Sequence, residues 1–107
     1  MSGSRTIIAE DDDRLPNPHP GEFLREDFLI GRELQVADVA TGSGIARDVL
    51  DRLLRDEIPV NAEIDLRLAR YFGMSEGFFL GLQADYDLEE ARDTLADALS
   101  RIVPRAA

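Results

Sequence analysis

The sequence predicts an all-α domain, and three observations carry that prediction. From residue 21 onward apolar residues recur at helical spacing. Glycine, serine and asparagine stand where helices would start and stop. No segment shows the two-residue alternation of a half-buried strand with any length; only Thr6 to Ala9 offers a short strand, with disorder as the alternative.

The elements follow in order. Residues 1–20 form a tail: Glu10, Asp11, Asp12 and Asp13 are a run of acids, and Pro16, Pro18 and Pro20 keep a helix from crossing the segment. The first helix begins at Gly21, puts Phe23, Leu24, Phe28 and Leu29 on one face, and ends at Gly31. A short helix is expected over Gln35–Thr41 with Val36, Val39 and Ala40 inward, followed by a turn at Gly42-Ser43-Gly44. A third runs over Ala46–Arg55 with Leu50, Leu53 and Leu54 inward.

Ile58-Pro59-Val60 is a loop, and Asn61 suits the N-cap of a fourth helix. That helix carries Leu66, Leu68, Ala69, Tyr71 and Phe72 as its apolar stripe and stops at Gly73. Ser75 is the expected N-cap of a fifth helix, to about Asp85, with Phe78, Phe79, Leu82 and Tyr86 as its stripe. Leu88, Ala91, Leu95, Ala98, Leu99 and Ile102 then mark a separate amphipathic helix that Pro104 ends.

Bulk properties narrow the function. A chain of 107 residues is one domain and needs no disulfide or metal to hold a core. It has no cysteine, so a disulfide framework and a Cys-based zinc site are excluded. The N-terminus lacks the order of a signal peptide and no apolar run spans a bilayer, so a soluble cytoplasmic protein without membrane contact is expected. With 22 acidic and 12 basic residues the net charge is -10. That argues against a polycation wrapped on nucleic acid and favours a basic protein partner, while leaving room for a local basic face.

The segment LRLARYFG-x-S-x-x-F-x-L-x-LQADYDL and the lead-in Asn17-Pro18-His19-Pro20-Gly21-Glu22 followed by Phe23, Leu24 and Arg25 closely resemble the HigA family of antitoxins. The resemblance spans about Pro16 to Leu88 and is specific at its two ends. It implies a compact five-helix XRE-like (lambda-repressor-like) helix-turn-helix domain at 21–86. An additional C-terminal helix and tail would fill 87–107. It implies that the chain neutralises a basic HigB-like toxin, a RelE-fold ribonuclease acting on mRNA. It further implies repression of its own operon through operator DNA as a homodimer, and no catalysis.

On that resemblance the second and third helices form the DNA-reading unit, with the third in the major groove. Ile45 packs the turn and Ala37 lets the two helices approach closely. The candidate DNA-binding residues are Gln35, Ala46, Arg47, Asp48, Asp51, Arg52 and Arg55. Arg47 is the strongest base-edge candidate and Arg55 a phosphate candidate. Asp48 or Asp51 can accept from cytosine N4.

The sequence departs from the family pattern here. Gln35-Val36 stands where Ser-Gln is usual, and Arg55-Asp56-Glu57-Ile58 where Asn-Gly-Lys-Arg is frequent. Asp56 and Glu57 therefore oppose phosphate binding. Each arginine can instead form a solvated pair with a neighbouring acid, Arg52 above all. Two readings stay open at this point: DNA binding that depends on dimerisation, or a helix-turn-helix scaffold kept for protein interaction. A stand-alone transcriptional regulator is the rival from another class.

The candidate toxin contacts are Glu10, Asp11, Asp12 and Asp13. The candidate dimer contact is the stripe Leu88, Leu95, Leu99 and Ile102, which a five-helix core does not need and which otherwise folds back on the first helix at Phe28. His19, the only histidine, positions the start of the first helix and has no partner for a metal site. The sequence contains no phosphate loop and no nucleophile motif, so neither cofactor, metal nor catalytic residue is expected.

Overall fold

A computed structural model of the chain describes residues 16–106. The acidic run Glu10–Asp13 and the segment Thr6–Ala9 lie outside the described residues, so the expectations placed on them are not addressed by the fold. Among the described residues the structure is all-helical: α1 (Pro20–Phe23), continued in π-helical register over Leu24–Ile30, then α2 (Val36–Ser43), α3 (Arg47–Leu54), α4 (Ala62–Phe72) and α5 (Phe78–Ser100).

The first helix starts as its residues dictate. His19 is the N-cap, its Nδ1 accepting the N–H of Gly21 at 2.9 Å, and Pro20 occupies the first helical position, where a missing N–H costs nothing. Gly21 then touches α3: a Cβ there would collide with the Leu53 carbonyl oxygen. The switch to π register matches the apolar spacing. Phe23 and Leu24 recur as Phe28 and Leu29, five residues on, and i→i+5 hydrogen bonding stacks residues five apart. The Gly31 N–H closes the segment on the Glu26 carbonyl at 2.9 Å.

Leu24, Phe28, Val39, Ile45, Leu50, Leu53, Leu68 and Phe79 form the centre of one core. Phe28 is its hub, with ring centroids 4.6 Å from Phe72, 5.5 Å from Phe23 and 5.5 Å from Phe79. Asn61 caps α4 as expected, accepting from Ile64 N–H at 2.9 Å, and Gly73 ends it in a left-handed conformation.

Four expectations are corrected. Leu66 is exposed, and the buried face of α4 is Ile64, Asp65, Leu68 and Ala69. Ala37 faces solvent; α2 approaches α4 closely at Gly42, which lies under the Tyr71 ring and is part of the helix rather than of the turn. Ser75 does not cap α5. Its first turn is capped from α4 by Asp65, 1% exposed, whose Oδ2 accepts from Gly77 N–H at 2.7 Å and whose Oδ1 accepts from Phe79 and Leu80 N–H at 2.8 and 2.9 Å. An arriving carboxylate does what a local serine was expected to do, because Gly77, the N-cap residue, has no side chain.

The fourth correction concerns the C-terminus. The expected fifth and sixth helices are one helix, since no proline or glycine falls between Gly81 and Pro104 to break it. The apolar stripe changes side instead. Phe79, Leu82, Gln83 and Tyr86 face the domain, whereas Leu88 lies nine residues, about two and a half turns, past Phe79 and so points the opposite way. Leu95, Leu99 and Ile102 follow Leu88, and all four are exposed. They do not fold back on Phe28, which the aromatic cluster already covers.

Replacing Asp65 with alanine strands three backbone donors at a buried helix start. The expected cost is about 3 kcal/mol or more of unfolding free energy in urea. Leu66→Ala, on the exposed side of the same helix, is expected to stay within about 0.5 kcal/mol.

Candidate nucleic-acid interface

The turn between α2 and α3 is built from its own residues and clamped from outside. Gly44, at φ 76°, caps α2 in the left-handed region that a side chain disfavours, and its N–H reaches the Ala40 carbonyl at 2.9 Å. Buried Ser43 accepts the Ile45 N–H on its Oγ at 3.2 Å, and Ile45 itself is buried, as the sequence indicates. Arg67 of α4 donates to the Ser43 carbonyl at 3.2 Å and pairs with Glu63 at 3.0 Å. Sequence spacing gives the Glu63–Arg67 pair but not the tie to the turn, which exists only once α4 lies beside α2.

α3 buries Leu50, Leu53 and Leu54 and turns its other side outward. Ala46 stands at its N-cap with Arg47, Asp48, Arg52 and Arg55 exposed and Asp51 partly so; Gln35 is exposed at the N-cap of α2, its side chain making no capping bond. The seven candidate DNA-binding residues are thus solvent-accessible.

Every arginine of this face is ion-paired. Arg47 Nε meets Asp51 Oδ1 at 3.1 Å, Arg52 Nη2 lies 3.6 Å from Asp48 Oδ2, and Arg55 Nε bonds Glu57 Oε2 at 2.9 Å. Such exposed pairs are worth little and yield to a competing anion. The Glu57 carboxyl is held below its ordinary range, first by the hydrogen bond from Arg55, and the same bond raises Arg55.

Asp56 behaves differently from the expected brake. It sits at φ 63° after α3, and its Oδ1 faces His19 Nδ1 at 3.4 Å and Arg25 Nη1 at 3.7 Å. Arg25 also donates to the Leu54 carbonyl, an orphan acceptor at the end of α3. Asp56 is therefore drawn to the α1–α3 junction through Arg25, while Glu57 is bonded to Arg55, so neither acid is an unpaired charge facing phosphates. Among the described residues no cluster of histidine, aspartate or glutamate could hold a metal ion, and no helix is long and apolar enough to cross a membrane.

Comparison with known proteins fits this geometry. Virulence-associated protein I of Dichelobacter nodosus is 31% identical over 90 residues, covering 84% of this chain and 82% of that protein. The Pseudomonas aeruginosa antitoxin HigA, solved with the higBA promoter, superimposes with a TM-score of 0.77 at 28% identity over 85% of this chain and all of that one. Antitoxin GraA in complex with its operator gives 0.76 at 30% identity over 90% of this chain and 97% of that one. No family model matches.

The chain belongs to the HigA family of antitoxins. Within that family its α2–turn–α3 unit is a helix-turn-helix of the XRE type, and the structural neighbours named above are DNA-binding antitoxins rather than enzymes. In this chain the arginines of the reading face are each paired with an acid.

The Arg55–Glu57 pair makes a pH prediction. Because the folded value of Glu57 is depressed, its contribution is present above the unfolded value and is lost as pH falls through the folded one. A carboxyl NMR titration should place Glu57 below an ordinary glutamate, and Arg55→Ala should return it to the ordinary range.

Proposed function

We propose that this HigA-family chain is the antitoxin of a type II module that represses its own operon as a homodimer and neutralises a basic HigB-like toxin. The observation that carries the DNA half of this reading is the exposed α3 face, in a fold that superimposes on relatives solved with promoter and operator DNA. A single helix-turn-helix covers one half-site, and tight binding takes two, about 34 Å apart. A dimer is therefore part of the proposal.

Leu88, Leu95, Leu99 and Ile102 supply the dimer contact. Leu88, Leu95 and Leu99 lie on the side of α5 turned away from their own domain, Ile102 follows just past its end, and among the described residues all four are exposed. The toxin half rests on charge and family membership. A protein of net charge -10 attracts a basic partner, and Glu10–Asp13 adds a dense local field that acts on association rate.

The ion pairs on α3 favour a second reading, an interaction module with weakened DNA binding. A shift assay on the DNA upstream of its own gene separates the two. Specific, salt-sensitive binding is expected, Arg47→Ala costing about 1–3 kcal/mol at one base pair per half-site and Arg55→Ala lowering the salt slope by about one. No shift at low salt leaves the interaction module.

Assembly has its own readout. Leu95→Asp should convert the dimer to a monomer in light scattering while leaving the unfolding midpoint of the isolated domain nearly unchanged, because Leu95 contributes nothing to the core. Equal mass for both proteins would remove the stripe from the interface.

A further inference from the structure

We infer that Arg47 and Asp51 act as one base-reading unit, in which Asp51 is a positioning residue that aims the Arg47 fork at a guanine. The inference rests on operator binding as proposed above and adds the residue that sets its specificity. Sequence reasoning ranks Asp51 as an alternative acceptor or as the far end of a solvated pair. The atoms that make the pair give it a different role.

Arg47 and Arg52 of α3 and Arg55 at its C-cap are engaged in three different ways. Arg55 is held along its side edge: Nε bonds Glu57 Oε2 at 2.9 Å and Nη2 reaches Oε1 at 3.4 Å. Arg52 approaches Asp48 through Nη2, at 3.6 Å, so an end nitrogen is the one that faces the acid. Arg47 is bound through Nε alone, at 3.1 Å from Asp51 Oδ1. Among the described residues no partner takes either of its terminal nitrogens. Among the described residues, Arg47 is thus the one arginine of this face whose end-on pair, Nη1 and Nη2, is complete and unoccupied. Two parallel N–H donors in one plane are what the O6 and N7 acceptors of guanine require.

Helix geometry aims the pair. Side chains of a helix lean toward its N-terminus, so Asp51 covers the turn that contains Arg47, and Arg47 projects past the first turn of α3. That end of the recognition helix faces base edges in this motif. The pair is exposed enough to reach a groove, Arg47 at 56% and Asp51 at 36%.

An unrestrained arginine loses rotamer freedom when it docks. Here the bond to Asp51 has already fixed part of the chain and the roll of the guanidinium plane. The second oxygen of Asp51, Oδ2, has no hydrogen-bond partner among the described residues. It can accept from an exocyclic amine, and an aspartate on a base edge prefers cytosine N4. The unit therefore reads a guanine together with a cytosine amine beside it.

Asp51 as a mere negative charge makes the opposite prediction, because removing it would help every DNA sequence alike. The experiment footprints the protein on the DNA upstream of its own gene. It then measures binding to every single-base-pair substitution of the protected half-site, for wild type, Asp51→Ala, Asp51→Asn and Arg47→Lys. Wild type should lose about tenfold or more at one G·C pair.

Asp51→Ala should collapse that discrimination to about threefold or less while binding to unrelated DNA holds or tightens. Asp51→Asn keeps an oxygen acceptor for Nε and should retain most of the discrimination. Arg47→Lys, which has no fork, should lose it. Thermal unfolding should be alike in all four, since the pair is exposed.

A uniform tightening by Asp51→Ala with an unchanged base profile overturns the inference and leaves operator binding intact. A wild type that protects no site overturns operator binding itself, and the inference with it.

Discussion

The carboxylate of Asp65 governs the geometry of the whole molecule. It sits inside the domain on α4 and accepts three backbone N–H groups from the start of α5. A buried carboxylate is costly unless its lone pairs are filled, and the first turn of a helix supplies both the donors and a favourable dipole. The two problems solve each other, because α5 has four orphan N–H groups and no capping side chain of its own. Buried Gln83 then fixes the rotation of α5, its Oε1 accepting the Val60 N–H at 2.8 Å. With its start and its rotation set, the direction in which the 23-residue helix leaves the domain is set too.

The reading face shows a different balance. A protein this acidic can approach DNA only if its interface cancels its own repulsion. α3 does so by pairing each arginine with an acid within one turn of helix or in the next loop. Solvated pairs of this kind are weak, so a phosphate or a base can replace the acid at small cost. The net neutral surface contributes little counterion release, and non-specific affinity should be correspondingly low. Specific contacts then carry a larger share of binding than in a basic repressor, and the orientation of individual side chains gains weight.

Much of the fold was legible because it rests on local chemistry. Asn61, Gly73, His19 at the start of the first helix and the inward leucines of α3 lie where the sequence puts them, although Pro20, read as part of the tail, is the first helical residue. Three of the misreadings share one cause, which is tertiary contact overriding a local signal. Ser75 is a good cap by type, but a carboxylate from another helix takes the position. Leu66 fits a helical stripe, yet α4 is rotated so that Asp65 goes inside. Asp56 looks like unpaired surface charge until the first helix brings Arg25 to it.

At the candidate interface the exposure of the residues was legible in the sequence, since turn and helix register decide it. It could not say which nitrogen of each arginine is occupied, because rotamers on one helix face depend on their neighbours. The tie from Arg67 to the Ser43 carbonyl was equally hidden, as no spacing encodes an approach between α4 and the turn.

The continuity of α5 joins these threads. Its first half is part of the core and its second half touches none of it, although no break in the backbone separates them. Near Asp87 the apolar side passes from one face to the other, so the core and the proposed dimer contact lie on opposite faces of one rigid rod. An apolar-to-polar substitution on the inward side before that point acts on stability, and one on the exposed stripe after it leaves the core intact. Rigidity has a consequence for DNA as well. If two copies join along the far face as proposed, their reading helices are held at a separation set by the angle at which α5 departs, and that angle is fixed by Asp65 and Gln83. A change at the buried carboxylate should therefore alter half-site spacing tolerance even where the domain stays folded, although it lies on a different helix from the residues that meet the bases.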